Sequence, residues 1–267
     1  MVFPAGEICI YLGMGAVNDM PDLKKALYDA VSENVPESRI AVAFSGGVDS
    51  SLLAKICRDI FKQIVLVTVG FPGSHDAGFA GSIASMMGME HRLLEIDFED
   101  FKKNLQQVRH AIKCENTSHV ENCIAYFYIC KLAKQNGLNI VLSANGCDEL
   151  FCGYDAYRSV YNGGEAAIMK MMEEKIANEM TLISEIAIVA GQFAVAVRQP
   201  FLSRKFIEFA KSIPINQKIK GPNDMTRKHV LREAALSVGV PEESAMKPKK
   251  ALQYGSLIHK YFKKINT

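Results

Sequence analysis

The stretch Ala41–Leu53, AVAFSGGVDSSLL, runs an apolar segment straight into Ser-Gly-Gly; an aspartate follows two residues later, and helical spacing holds from Ser50 to Ile60. A buried strand that turns through glycines into a helix is a common seat for a phosphate. Three glycine-rich loops compete for this one. The dinucleotide fingerprint needs G-x-G-x-x-G, which SGGVDSS does not supply. The Walker loop needs a Lys-Ser or Lys-Thr after its last glycine, and none follows. What remains is S-G-G-x-D-S. Gly46 and Gly47 let the backbone turn tightly and bring N–H groups close to an anion. Ser45 and Ser50 add hydroxyl donors, and the helix aims its positive end at the same spot. Asp49 cannot hold a phosphate itself, because two anions repel. It makes sense as a ligand of Mg²⁺ that the phosphate also binds. The loop therefore reads as a seat for Mg²⁺-pyrophosphate, against the plainer reading of a strand-to-helix turn capped by Asp49.

Outward from the loop, elements alternate. The pattern predicts helices over 22–33, 50–61, 77–87, 98–112 and 120–135, with Asp19 or Asp22 near the first start. It predicts short β-rich strands over 40–44, 64–69, 91–96 and 139–143. After Tyr154 the spacing is helical, with no strand expected. The expected fold is α/β: a doubly wound, mostly parallel sheet followed by a helical C-terminal part. The expected division is an N-terminal segment 1–20 and one domain 21–267, its nucleotide-binding core over 21–160 and its helical part over 161–267.

The 267 residues are 49% hydrophobic, enough for a sizeable core. The longest apolar run, 186–197, is too short to span a bilayer and contains Gln192. The N-terminus lacks a basic region and carries Glu7, so no signal peptide is expected. Seven cysteines without short paired spacings suggest reduced thiols, and hence a cytoplasmic protein with no membrane partner. Residues 1–202 hold 17 basic and 24 acidic side chains, and residues 203–267 hold 14 and 5, so the C-terminal part is strongly basic. Such a part can be a solvated helical face, or it can meet nucleic acid, a membrane surface or a polyphosphate.

SGGVDS resembles the pyrophosphate loop of the ATP pyrophosphatases, also called adenine nucleotide alpha hydrolase-like proteins. Four further regions resemble the synthetase domain of asparagine synthetases and of the related β-lactam-forming synthetases: VGFPGSHDAGFAGSIASMMGMEH (69–91), SANGCDELFCGYDAYR (143–158), VRQPFL (197–202), and the pair KHVLREAA (228–235) and KPKKALQYGS (247–256). The resemblance implies an amide ligase that forms AMP and pyrophosphate. A substrate carboxylate attacks the α-phosphate of ATP, and an amine or ammonia then displaces AMP from the acyl-adenylate. Charge builds on pyrophosphate in the first step, so cations are required there. By motif match Asp49 and Asp148 would hold Mg²⁺, and Lys249 would neutralise charge in the transition state. Phe44, Val69, Ser143 and Ala144 would line the adenine and ribose pocket, the loop residues Ser45, Gly46, Gly47 and Ser50 would hold phosphate, and Gly146 would belong to the same nucleotide site. On residue pattern alone, Asp148 could be a plain helix N-cap and the KPKK lysines a solvated turn. Lys249 is chosen over Lys247 and Lys250 on its spacing to Gly255. His75, His91 and His229 show no ligand spacing and read as structural.

Glutamine-using members of the resembled family carry an N-terminal amidotransferase domain, whereas about 40 residues precede the loop here. The expected nitrogen source is free ammonia, a substrate amine or a separate glutaminase subunit; a homo-oligomer is compatible with the sequence. Two departures bear on the substrate. Asparagine-forming members have a glutamate two residues after the motif serine, where this chain has Asn145, and an amide cannot act as a base. The segment before VRQPFL, usually polar and charged, reads MTLISEIAIVAGQFAVA. Two other readings stand beside the ligase. A transfer-RNA-thiolating ATP pyrophosphatase would use Cys147 or Cys152 beside Asp148 and the basic tail; against it, the chain has no C-x-x-C, and nucleic acid is not the expected partner. A non-catalytic nucleotide-binding regulator would have lost the chemistry, yet Asp49, Asp148 and Lys249 are all present.

Overall fold

The structure is a computed structural model that describes residues 19–35, 39–61 and 63–266. Residues 1–18, where the absence of a signal peptide is expected, lie outside the described residues. Helix α1 (Asp19–Asn34) leads to strand β1 (Arg39–Ala43), helix α2 (Val48–Ile60), strand β2 (Gln63–Gly70), helix α3 (His75–Met86) and strand β3 (His91–Glu95). Helices α4 (Phe98–Ile112) and α5 (Thr117–Gln135) precede strand β4 (Ile140–Leu142), which is followed by α6 (Cys147–Leu150), α7 (Ala156–Val160) and the long α8 (Gly164–Gly191). Strand β5 (Ala196–Arg198) is followed by α9 (Arg204–Ser212), α10 (Ile215–Lys218), α11 (His229–Ser237), α12 (Glu242–Ala245), α13 (Leu252–Gly255) and α14 (Ile258–Asn266).

The five strands form one parallel sheet in the order β3-β2-β1-β4-β5. The strands alternate side chains between two faces, and each face is buried. Ile40, Val42, Leu66, Ile140 and Leu142 join one core with α1, α2 and α3. Ala41, Val65, Val67, Val69 and Val141 join a second core with α4, α5, α8 and α14. Burial on both faces explains why β1, β2 and β4 read as unbroken apolar runs, and the doubly wound parallel fold expected from the sequence is the one observed. One element departs from expectation. Residues 196–198 pair in parallel with β4 and complete the sheet from within the stretch expected to hold no strand. Three residues with a partly exposed pattern carry too little periodicity to announce a strand; the pairing with β4 supplies it. The helices α2, α3 and α5 also begin two or three residues earlier than expected. Among the described residues no helix is long and apolar enough to cross a membrane.

Sheet order puts the candidate site where the order of strand addition reverses. From β1 the chain moves outward through β2 to β3, then returns to the other side of β1 as β4. The crevice at the carboxyl ends of β1 and β4 is thus a topological switch point, the usual binding place in open parallel sheets.

Candidate active site

The loop after β1 and the loop after β4 face each other across that crevice. In the first, Gly46 has φ +73, and a Cβ there would lie 2.9 Å from the Phe79 ring, so the tight turn requires glycine. Ser50 Oγ donates to the Gly47 carbonyl at 3.1 Å and lies 3.3 Å from Ser45 Oγ, which fixes the loop's shape. Helix α2 starts at Val48 with no side-chain cap. Asp49 therefore sits inside its first turn, beside N–H groups that no side chain caps. In the second loop, Gly146 at φ +103 is the N-cap of α6, and a Cβ there would lie 2.8 Å from Leu202. Asp148 occupies the first turn of α6 and is not its cap.

One cation joins the two acids. Lys228 Nζ lies 2.5 Å from Asp49 Oδ2 and 2.6 Å from Asp148 Oδ1, its side chain 2% exposed. Lys249 closes on the other oxygen of Asp148. Burial alone would raise the Asp148 carboxyl, but the ammonium groups of Lys228 and Lys249 overcome this and hold it well below the usual carboxylate range. Burial would likewise lower Lys228, and the charges of Asp148 and Asp49 hold it above the ordinary lysine value. The lysine is delivered by a strained turn: Arg227 and Lys228 both have left-handed backbone angles, φ 51 and 54. That costs on the order of 1–3 kcal/mol per residue unless the surroundings hold it. They do: Arg227 Nε donates to the Gly153 carbonyl at 3.1 Å, and Arg232 Nε donates to the Arg227 carbonyl at 2.9 Å. Gly153 must be glycine, because a Cβ would overlap the Asp148 carboxylate and Lys228 Cε.

The segment before α13 crosses the mouth of the crevice. Besides Lys249, it contributes Lys247, whose Nζ lies 3.8 Å from buried Asp76 and 3.6 Å above the centre of the Phe79 ring. Gly255 anchors it, since a Cβ there would overlap the Asp76 carboxyl group. Phe44, Ser45, Gly47, Asp49, Ser50, Val69, Ser143, Ala144, Asp148 and Lys249 all line one cleft. Gly46 and Gly146 stand behind its wall and shape it.

The inner half of the cleft holds groups the sequence did not flag. Asn145 Nδ2 donates to Glu179 Oε1 of α8 at 2.5 Å, and Asn145 Oδ1 accepts from Tyr126 at 2.7 Å and from Ser143. Glu179 is 6% exposed, and burial raises its carboxyl. Glu149, 3% exposed, accepts from the Gly146 N–H at 3.1 Å and from the Tyr154 hydroxyl at 2.5 Å. Burial, with the nearby charges of Glu179 and Asp148, pushes it up to about 7. Lys228 and Glu179 had no local signal. Lys228 belongs to a quoted motif but stands beside Arg227 just ahead of its helix, where the pattern gives it no role, and Glu179 lies 34 positions from Asn145 on a helix of mixed polarity. Of the three histidines read as structural, His91 Nε2 lies 2.7 Å from buried Thr68, His229 Nε2 lies 2.7 Å from Asp224, and His75 Nδ1 lies 3.5 Å from Asp76. Cys147 and Cys152 are fully buried, and burial pushes the Cys147 thiol well above its ordinary value, which makes it a poor nucleophile.

A family model described as asparagine synthase matches residues 22–187 and 179–266. The chain belongs to the asparagine synthase family. A putative glutamine-hydrolyzing asparagine synthetase of Methanocaldococcus jannaschii is 29% identical over 279 residues, covering 91% of this chain and 51% of the relative. The glutamine-hydrolyzing asparagine synthetase B of Escherichia coli K12 is 26% identical over 232 residues, covering 81% of this chain and 42% of the relative. The chain thus spans about half the length of the curated relatives it matches. Among solved structures, an NH3-dependent NAD synthetase of Campylobacter jejuni aligns with TM-score 0.36 at 18% identity, over 51% of this chain and 59% of that one. An NMN synthetase of Francisella tularensis aligns with TM-score 0.36 at 15% identity, over 72% and 90%.

Proposed function

We propose that this asparagine synthase family member is an ATP-dependent amide ligase that forms AMP and pyrophosphate. The observation that carries the reading is the pair of aspartates, Asp49 and Asp148, on adjacent strand ends around one buried lysine, with a glycine-serine loop beside them. ATP would lie with its adenosine along Phe44, Val69, Ser143 and Ala144, and its β- and γ-phosphates on the 45–50 loop. Its α-phosphate would then face the inner cleft. Lys249 and Lys228 would balance the charge that grows on the departing pyrophosphate, a stabilisation worth more in the dry interior than in water.

Mg²⁺ suits the residues present. Asp49 Oδ1 is buried without a hydrogen-bond partner, and Asp148 Oδ1 has its ionic contact with Lys228 but no well-formed hydrogen bond. Two carboxylates with spare lone pairs are the hard oxygen donors this ion takes. Bound there, it would supply further positive charge to the polyphosphate.

In the second half-reaction an amine or ammonia attacks the acyl carbon and must lose a proton. Glu179 is the group placed to take it, with Asn145 fixing the carboxylate's orientation and burial raising its basicity. The glutamate absent from position 145 is thus replaced by one from α8. The test is ATP–pyrophosphate exchange across a panel of carboxylic acids, aspartate first, with chromatography of the nucleotide products. Carboxylate-dependent exchange with AMP as the nucleotide product is expected; ADP and phosphate as the main products would refute the reading.

A further inference from the structure

A second cluster of side chains lies at the inner end of the same cleft and takes no part in the ligase reading. Cys114 comes from the connection between α4 and α5, His119 from the start of α5, and Glu185 from the second half of α8. One ligand atom from each, a sulfur, a ring nitrogen and a carboxylate oxygen, lies within 4.8 Å of the other two. The His119 side chain is 5% exposed and that of Glu185 13% exposed, so both sit in a region of low dielectric, while Cys114 is only partly covered.

The hydrogen bonding of His119 gives the cluster its direction. Nε2 lies 3.1 Å from Asn178 Oδ1, and Nδ1 lies 2.8 Å from Glu185 Oε2. A neutral imidazole has one N–H. In the tautomer that donates it to Asn178, Nδ1 turns its lone pair to the Glu185 carboxylate, to which the Cys114 thiol is also hydrogen-bonded. A lone pair, a carboxylate and a sulfur in mutual contact are held together only by a proton or a cation between them. An outer hydrogen bond that fixes the tautomer of a ligand histidine is the usual support of a metal-binding imidazole.

We propose that Cys114, His119 and Glu185 bind one zinc ion. Sulfur and imidazole donors select zinc over magnesium, which the all-oxygen pair Asp49 and Asp148 suits instead. Three protein ligands leave the fourth position of a tetrahedral ion free, the pattern of zinc sites that take water or a substrate donor. Ser118, His119, Asn122, Asn178 and Glu179 face the cleft, so a donor atom of the amine or carboxylate substrate can reach that position.

The test reads metal and needs no ligase activity. The full chain, in a Cys9→Ser background because Cys9 lies outside the described residues, is stripped with chelator and titrated with Zn²⁺ and with Co²⁺ in the absence of Mg²⁺ and nucleotide. One zinc per chain is expected. Co²⁺ should give the near-ultraviolet charge-transfer band of a thiolate ligand and the intense visible bands of a four-coordinate ion. Cys114→Ser, at a partly exposed position and with its fold checked by circular dichroism, should abolish the charge-transfer band. Cys114→Ser and Glu185→Gln should each lower zinc affinity about tenfold or more. Absence of zinc binding, a cobalt spectrum without the thiolate band, or affinity unchanged by Cys114→Ser would each overturn the assignment. Mg-ATP binding, measured on the same Cys114→Ser protein, separates this outcome from failure of the ligase reading, which would show as lost exchange activity with zinc still bound.

Discussion

Replacing Lys228 by methionine removes one ammonium and almost no volume. Asp148 keeps Lys249 as a partner, but Asp49 has no other ion pair among the described residues. Removing one member of a buried ion pair costs about 3–5 kcal/mol, because the remaining charge stays out of water. The Asp49 side chain is 19% exposed, so some hydration returns and the lower end applies, about 3 kcal/mol. A chain of this size loses about 2–4 °C of melting temperature per kcal/mol, so Lys228→Met should melt about 6–12 °C below wild type. The measurement is differential scanning calorimetry at pH 7 in metal-free buffer. Adding Asp49→Asn should restore most of the loss, since the orphaned charge is then gone. Mg²⁺ should raise the melting temperature of Lys228→Met more than that of wild type, because the cation no longer competes with a resident ammonium. A single variant that melts within about 1 °C of wild type, less than half a kcal/mol by the same conversion, would refute the view that Lys228 holds the acid pair together.

Three further outcomes follow from other parts of the structure. Lys249→Ala should lower the rate of AMP formation about a hundredfold or more while ATP affinity by calorimetry changes little, since its charge acts chiefly on the leaving pyrophosphate; a pure loss of affinity would contradict that role. Glu179→Gln should leave ATP–pyrophosphate exchange intact and slow amide formation, whereas equal loss of both would remove Glu179 from the amine half-reaction. Lys218 is fully buried with its Nζ 2.6 Å from the Ala210 carbonyl, and burial lowers it to about 8. The unfolded chain keeps that proton to near pH 10.4, so between about pH 8 and 10 the unfolded state binds more protons and stability rises with pH. Lys218→Met should therefore stabilise the fold by roughly 2 kcal/mol at pH 7, after allowing for the lost hydrogen bond, and by little at pH 10; equal melting temperatures at pH 7 would count against the buried charge.

The parts of this molecule legible in its sequence are those whose physics is local. Gly46 needs a left-handed angle, Ser45 and Ser50 need to reach one turn, and Asp49 needs the first turn of a helix, all within six residues. The strands β1, β2 and β4 are apolar throughout because both of their faces are covered. The rest depends on contacts between distant segments. Lys228 opens a quoted motif, but its place between Asp49 and Asp148 comes from the strained turn held by Gly153 and Arg227, which that motif does not describe. Glu179 changes the meaning of Asn145. The sequence marks position 145 as lacking the glutamate of the resembled family, and in the folded chain a carboxylate there would stand against that of Glu179. Strand β5 is three residues long and exists through its partner. His119 and Glu185 are 66 positions apart and meet only where α5 packs on α8.

In chain order the acids come first and their cations last. Asp49 and Asp148 are made well before Lys228, Lys247 and Lys249. At about 5–20 residues per second, the stretch from Asp148 to Lys228 takes on the order of 4–16 s to make. Through that interval both aspartates exist and neither Lys228 nor Lys249 does. Until the lysine-bearing segment is made and Gly255 seats against Asp76, the ion pairs that join Asp49 and Asp148 cannot form. The two acids therefore gain their counter-charges only when segments made long after them fold back across the crevice.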